Sequence, residues 1–166
     1  MSPISGALHV REALPNDGAA AIQVLRDSIT SLCGPDHQNK PDLLTPWLAN
    51  KTIESFQVWL GNPERILKLA CLEHRIVGVG MASTSGEILL NYVSPDARLC
   101  GVSSKLLSAL EDGLFEAGHT KLKLDSTQTA HRFYRSRGWR DAGSPFLDGG
   151  MQSYPMHKTL AAMLDR

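Results

Sequence analysis

Leu89-Leu90-Asn91-Tyr92-Val93-Ser94-Pro95-Asp96-Ala97-Arg98-Leu99-Cys100-Gly101-Val102-Ser103-Ser104-Lys105-Leu106-Leu107 reads as a strand, a tight turn and the start of a helix. Leu89 to Val93 is apolar and β-prone. Pro95 has no N–H to give to a ladder, so the strand is expected to end near it. From Val102 onward, Val102, Leu106, Ala109, Leu110 and Leu114 recur at helical spacing. Arg98 to Ser103 is then a loop that runs straight into a helix N-terminus. Such a loop presents unpaired amides and the positive end of a helix dipole, and both suit a phosphate. The first expectation is a pyrophosphate-bearing cofactor seated on this turn. The rival glycine-loop folds are not supported, because neither G-x-G-x-x-G nor a nucleotide triphosphatase loop occurs.

Working outward, the 166 residues fit one domain, 1–166, with room for a core. A hydrophobic content of 42% against 20% charged residues is that of an ordinary soluble globule. Lys and Arg equal Asp and Glu at 17 each, so the basic excess expected of a nucleic-acid surface is missing. Cys33, Cys71 and Cys100 are widely spaced and form no C-x-x-C pair, which argues against a disulfide framework or a metal site and for reduced thiols in the cytoplasm. Met1 to Leu8 carries no signal-peptide pattern, and no apolar run could span a bilayer.

Along the chain, Leu8 to Ala13 alternates as a strand, and Pro15-Asn16-Asp17-Gly18 closes it, with Asn16 or Asp17 able to cap the first helix. Ile22, Leu25, Ile29 and Leu32 mark one face of that helix, which Gly34-Pro35 ends. Asp36 to Pro46 is polar and poorly periodic and reads as a connecting loop, with Trp47 in a short helix before the next one. That next helix runs from Thr52 to Leu60 and stops at Gly61-Asn62-Pro63. Ile66–Leu72, Ile76–Ala82 and Leu89–Val93 form an antiparallel meander. Lys121 to Leu124 alternates as a further strand, so Leu89 to Leu124 is a right-handed crossover between parallel strands. Ala130 to Arg137 is helical with Gly138 at its end, and Trp139–Ala142 and Tyr154–Thr159 are final strands separated by a Gly/Pro-rich loop.

Two motifs sharpen the reading. Val93-Ser94-Pro95-Asp96-Ala97-Arg98-Leu99-Cys100-Gly101-Val102-Ser103 resembles the acetyl-CoA signature of the GNAT superfamily of N-acetyltransferases. Ala130-His131-Arg132-Phe133-Tyr134-Arg135-Ser136-Arg137-Gly138-Trp139 resembles its second signature, one strand–helix unit downstream. The order of elements resembles the family from His9 to Thr159. The resemblance implies an α/β (α+β) fold: a mixed, mostly antiparallel central sheet flanked by helices, with one parallel strand–helix–strand crossover. Ser103 stands where Gly or Ala is usual. Leu99-Cys100 replaces a small-then-basic pair, and Ser126 and Thr127 occupy the place of a common Asn.

The resemblance further implies acetyl-CoA as co-substrate. Val93, Arg98, Leu99, Cys100, Gly101, Val102, Ser103, Ser104, Ser126 and Thr127 are its expected contacts, with the pantetheine arm pairing to main-chain groups of Asn91 and Val93. Tyr134 matches the tyrosine near the CoA sulfur, a phenol able to protonate a departing thiolate; its bland alternative is core packing beside Phe133. Glu87 is a candidate base or an ordinary turn residue, and Asn91 is a candidate holder of a relay water. Asp36, His37 and Trp47 are expected to face the acceptor, His37 with a surface role as its alternative. Arg132, Arg135 and Arg137 with His131 form a basic cluster that would meet the adenine or 3′-phosphate end of CoA or only balance the nearby acidic surface. The implied activity is direct transfer of acetyl to a primary amine of a small molecule or peptide, with no acyl-Cys100 step and no metal. The alternative is a catalytically silent CoA-binding regulatory module. Dimerisation is common in the family, and no sequence feature decides it.

Overall fold

The computed structural model describes residues 7–160. The reading of Met1 to Leu8 therefore lies almost wholly outside the described residues. Strand β1 (Leu8–Glu12) is followed by four helices: α1 (Gly18–Leu32), α2 (Gly34–His37), α3 (Pro41–Ala49) and α4 (Ile53–Gly61). The meander is β2 (Arg65–Leu72), β3 (Arg75–Ser83) and β4 (Glu87–Val93), which leads into α5 (Val102–Glu116) and β5 (Lys121–Ser126). Helix α6 (His131–Ser136) and strands β6 (Arg140–Asp141), β7 (Phe146–Asp148) and β8 (Met151–Thr159) complete the described chain. The strands form one eight-stranded sheet in the order β1-β2-β3-β4-β5-β8-β6, with β7 added on β8. Every pairing is antiparallel except β4 with β5.

Alternation explains the two faces. Leu67, Leu69, Cys71, Val79 and Met81 point to one side and form a core with Ala21, Ile22, Leu25 and Phe56 from α1 and α4. Ala70 and Leu72 point to the other side, against Val102 and Leu106 of α5. Helix α5 presses closely on β3 there. A Cβ at Gly80 would lie 2.9 Å from both Leu106 and Leu110, and one at Gly78 would lie 2.8 Å from Val102. The two glycines thus set the height of the helix over the sheet, and with it the position of the turn that precedes it. Across the second half of the sheet, Leu107, Leu110 and Leu114 meet Leu122, Leu124, Tyr134, Trp139 and Met156. Buried Glu111 ties this half together, accepting from Trp139 Nε1 at 3.0 Å and from Lys158 Nζ at 2.9 Å.

Four expectations are corrected. Asp36 to Pro46 falls in α2 and α3, joined by a turn over residues 38–40, rather than in one loop, because Pro35 and Pro41 sit in the first turn of each helix, where a missing N–H costs nothing. Only Pro46, inside α3, occupies an interior position. Gly34-Pro35 accordingly opens α2 after a one-residue break at Cys33 instead of simply stopping α1. The Gly/Pro-rich stretch after Ala142 contains β7, a hairpin partner of β8 joined through Gly149 and Gly150, both at positive φ. At the first helix, Asp17 occupies the N-cap, but its carboxylate turns back to the Leu14 amide at 2.7 Å and to Arg11.

Candidate active site

The site begins where β4 ends. The Ser94 amide donates to Val77 O at 2.7 Å, and Ser94 Oγ donates to Asp96 Oδ1 at 2.7 Å. Arg75 pairs with the same Asp96 carboxylate and holds it below the usual carboxylate range. These contacts pin a short 3₁₀ turn over Pro95–Ala97. The chain then passes through Leu99, at φ 65° and 93% exposed, and Gly101, at φ 78°, before α5 starts. No side chain caps α5. The amides of Val102, Ser103 and Ser104 have no intrahelical acceptor by position, and no side chain of the described residues supplies one. Nothing lies within 4 Å of where a Cβ of Gly101 would project.

Strands β4 and β5 pair only at Glu87 and Lys123. Beyond that point the pairing does not continue, and a cavity of about 450 Å³ opens along the C-terminal end of β4. Asn91, Tyr92, Val93, Arg98, Leu99, Gly101 to Ser104, Thr127, Tyr134 and Arg137 are among the residues that line it. Tyr134 is 7% exposed, packed edge-on against Phe133 and Trp139. Burial pushes its phenol up to about 12, opposed in part by the neighbouring Asn91 side chain. Asn91 Oδ1 is itself buried and has no hydrogen-bond partner among the described residues. A buried acceptor left unsatisfied costs free energy that a bound donor would recover.

These features fit acetyl-CoA. Orphaned helix-end amides with Arg98 and Arg137 match its phosphates, and the unpaired margin of β4 matches an arm that carries amides.

A second cavity of about 480 Å³ lies beside the first, and Tyr92 and Thr127 line both. Its walls include Leu43, Trp47 and Lys51 around α3, and Asp148, Met151 and Ser153 from the β7–β8 hairpin. Trp47 packs edge-on against His37 at 6.1 Å. The Tyr92 phenol is pushed far above its ordinary range by burial, against a smaller pull from Trp47.

The expected cofactor contacts Val93, Arg98, Leu99, Gly101, Val102, Ser103 and Ser104 all line the first cavity. Cys100 sits on the same loop but is exposed, its Sγ turned to Arg98 O. Thr127 lines both cavities and steadies the turn before α6, accepting from the Ala130 amide at 3.1 Å. Ser126 is buried, donates to Thr127 O and lines only the second cavity. Tyr134 and Asn91 are brought together; Glu87 is not, since it stands at the opposite end of β4 from Val93 and lines neither cavity.

Trp47 and Asp36 line the second cavity, but the Asp36 carboxylate is occupied by Gln128 N, Thr129 N and Thr129 Oγ1. His37 is fully buried. Its Nδ1 accepts from the Asn39 amide, which leaves Nε2 to donate to Ile29 O at 2.8 Å. It therefore locks the α1–α2 corner and lines neither cavity. Lys51 and Tyr92 were not legible as site residues. Lys51 follows a helix end like any solvated cation, and Tyr92 sits in an apolar strand.

The family model described as an acetyltransferase (GNAT) domain matches residues 50–160. No curated protein matches the sequence. Among solved structures, the chain is similar to a GCN5-related N-acetyltransferase from Rhodopseudomonas palustris, with a TM-score of 0.83, 24% identity and coverage of 96% of this chain and 99% of that one. It is also similar to the PaiA N-acetyltransferase of Thermoplasma acidophilum in complex with coenzyme A (TM-score 0.79, 16% identity, 92% and 99% covered). An aminoglycoside 6′-acetyltransferase type Ii is similar too (TM-score 0.67, 18% identity, 92% and 97% covered). At these identities the likeness speaks to the fold.

Proposed function

The chain belongs to the GNAT acetyltransferase family and uses acetyl-CoA, and from that premise we propose that it passes the acetyl group directly to a primary amine, with both substrates held at once. The observation that carries this is the pair of adjoining cavities that share Tyr92 and Thr127 as walls. One cavity has the groups for a phosphorylated donor, and the other is open to an acceptor. Two of the similar structures are, by name, an N-acetyltransferase and an aminoglycoside 6′-acetyltransferase.

Acetyl-CoA supplies an acetyl thioester activated for attack. The amides of Val102, Ser103 and Ser104, with Arg98, bind its pyrophosphate. The main chain of Asn91 and Val93 orients the arm as an added strand would, and the Val93 amide polarises the carbonyl. Tyr134 Oη holds the proton destined for the leaving sulfur; its raised pKa keeps it protonated at neutral pH. Asn91 Oδ1, an acceptor without a protein donor, takes a hydrogen bond from the incoming amine or from the water that removes its proton. Asp36 and His37 have no free acceptor for that role, and Glu87 is distant from it. Cys100 is not an acyl carrier in this scheme, since it is exposed on the phosphate loop. No described helix is long and apolar enough to cross a membrane; with three unpaired thiols, we place the protein in the cytoplasm, as one domain.

The test is acetyl-CoA turnover against a panel of small amines and peptides, with Tyr134→Phe as control. Acetylation of an amine, strongly reduced in the variant, is the expected result. Tight acetyl-CoA binding with no turnover on any acceptor would overturn catalysis in favour of a regulatory CoA-binding role.

A further inference from the structure

Lys51 is the one cation among the described residues lining the acceptor cavity, and it is buried there without a counter-charge. The residue is 6% exposed. Its Nζ donates to two neutral acceptors, Asn50 Oδ1 at 2.5 Å and Trp47 O at 3.3 Å, and forms no ion pair among the described residues. An ammonium has three N–H donors, so one remains. Buried lysines are seldom left without an anion, because desolvating the charge is costly unless a partner offsets it. The backbone around Lys51 is fixed: Arg26 donates to Leu48 O at 3.0 Å and to Lys51 O at 3.1 Å, so the side chain is held inward rather than free to reach solvent.

Three carboxylates share the cavity, and none neutralises Lys51. Asp36 is consumed by the β5–α6 turn, while Asp125 and Asp148 are exposed. The cavity thus has a buried cation, two exposed anions, and an apolar wall that includes Trp47 and Met151.

We propose that the acceptor is a small amino-carboxylate with an apolar body, an amino acid or a close analogue, whose carboxylate pairs with Lys51. This rests on the acetyl-transfer reading above and names the substrate class for the same site. Asp125 and Asp148 draw in the ammonium end, and Lys51 fixes the other end so that the amine faces the Tyr92–Thr127 boundary. A polycationic acceptor would satisfy the aspartates but would confront the buried ammonium. The depressed pKa of Lys51, to about 8, agrees with a site that lacks its anion.

The experiment uses the full chain with acetyl-CoA and leucine, phenylalanine, methionine and glutamate, each beside its C-terminal amide, with spermidine as the polycationic control. The wild type is expected to favour the free carboxylate over the amide by about tenfold or more in kcat/KM, mostly through KM. Lys51→Met is expected to abolish that preference while leaving acetyl-CoA affinity unchanged. Thermal protection by the same compounds in the presence of CoA gives a readout that needs no turnover. Equal use of acids and amides, preferred use of spermidine, no selective protection by the acids, or a preference that survives in Lys51→Met would each overturn the inference. Turnover of amides or spermidine as good as or better than that of the acids would do so while leaving amine acetylation standing.

Discussion

The Asp36 carboxylate accepts a hydrogen bond from the Gln128 amide at 2.7 Å across 92 residues of sequence. The same carboxylate takes the Thr129 amide at 3.1 Å and the Thr129 hydroxyl. A single side chain therefore joins α2 to the turn that starts the Tyr134 helix. Replacing it by alanine leaves three partly buried donors unpaired. Asp36→Ala is expected to lose about 2 kcal/mol of stability in urea denaturation, with Asp36→Asn losing less. Both variants should also lose turnover, because α6 carries Tyr134.

Tyr134→Phe removes one hydroxyl from a buried ring and leaves the packing against Phe133 and Trp139 in place. Turnover is expected to fall about 100-fold with acetyl-CoA affinity within about threefold of wild type, as read by steady-state kinetics and calorimetry. If kcat is unchanged, Tyr134 packs the core and does not transfer a proton.

Lys51 makes stability depend on pH in a definite direction. Its ordinary pKa of 10.5 falls to about 8 in the folded protein. Between these values the unfolded chain binds the proton and the folded protein does not, so the contribution of this residue to stability rises with pH. Below about pH 8 both states are protonated and the folded protein bears the full penalty. Lys51→Met is expected to melt at a higher temperature than wild type at pH 7, with the gain shrinking as pH rises from 8 toward 10.5. A gain that stays constant across this window would show that Lys51 is not desolvated.

Two glycines make opposite predictions. Gly101 has open space around it, and its φ of 78° is what a side chain resists. Gly101→Ala should cost about 1 kcal/mol of stability and weaken acetyl-CoA binding, because the turn must relax to relieve the strain. Gly80 has an ordinary strand conformation but no room beneath Leu106 and Leu110. Gly80→Ala should destabilise by about 1–3 kcal/mol through overpacking, measurable by chemical denaturation. Because it lifts α5, it should weaken the cofactor as well.

The sequence by itself determined the elements whose signals are local. The period-2 and period-3.6 patterns marked β1 to β5, α1, α4 and α5. The Pro95 stop with the Gly101 helix start marked the turn whose amides lie uncapped ahead of α5, and the motif that ends at Gly138-Trp139 pointed to Tyr134, which lines the first cavity. It misread Asp36 to Pro46, because proline in a first helical turn looks the same in sequence as proline that breaks a helix. It also missed β7, too short to show alternation. Only the tertiary structure decided the acceptor side. Lys51 became a buried cation when α3 folded beside the β7–β8 hairpin, and Asp36 and His37 became fasteners when their partners, some of them more than 90 residues away, closed around them. Burial and charge pairing are properties of neighbours brought together by the fold, and no window of sequence contains those neighbours.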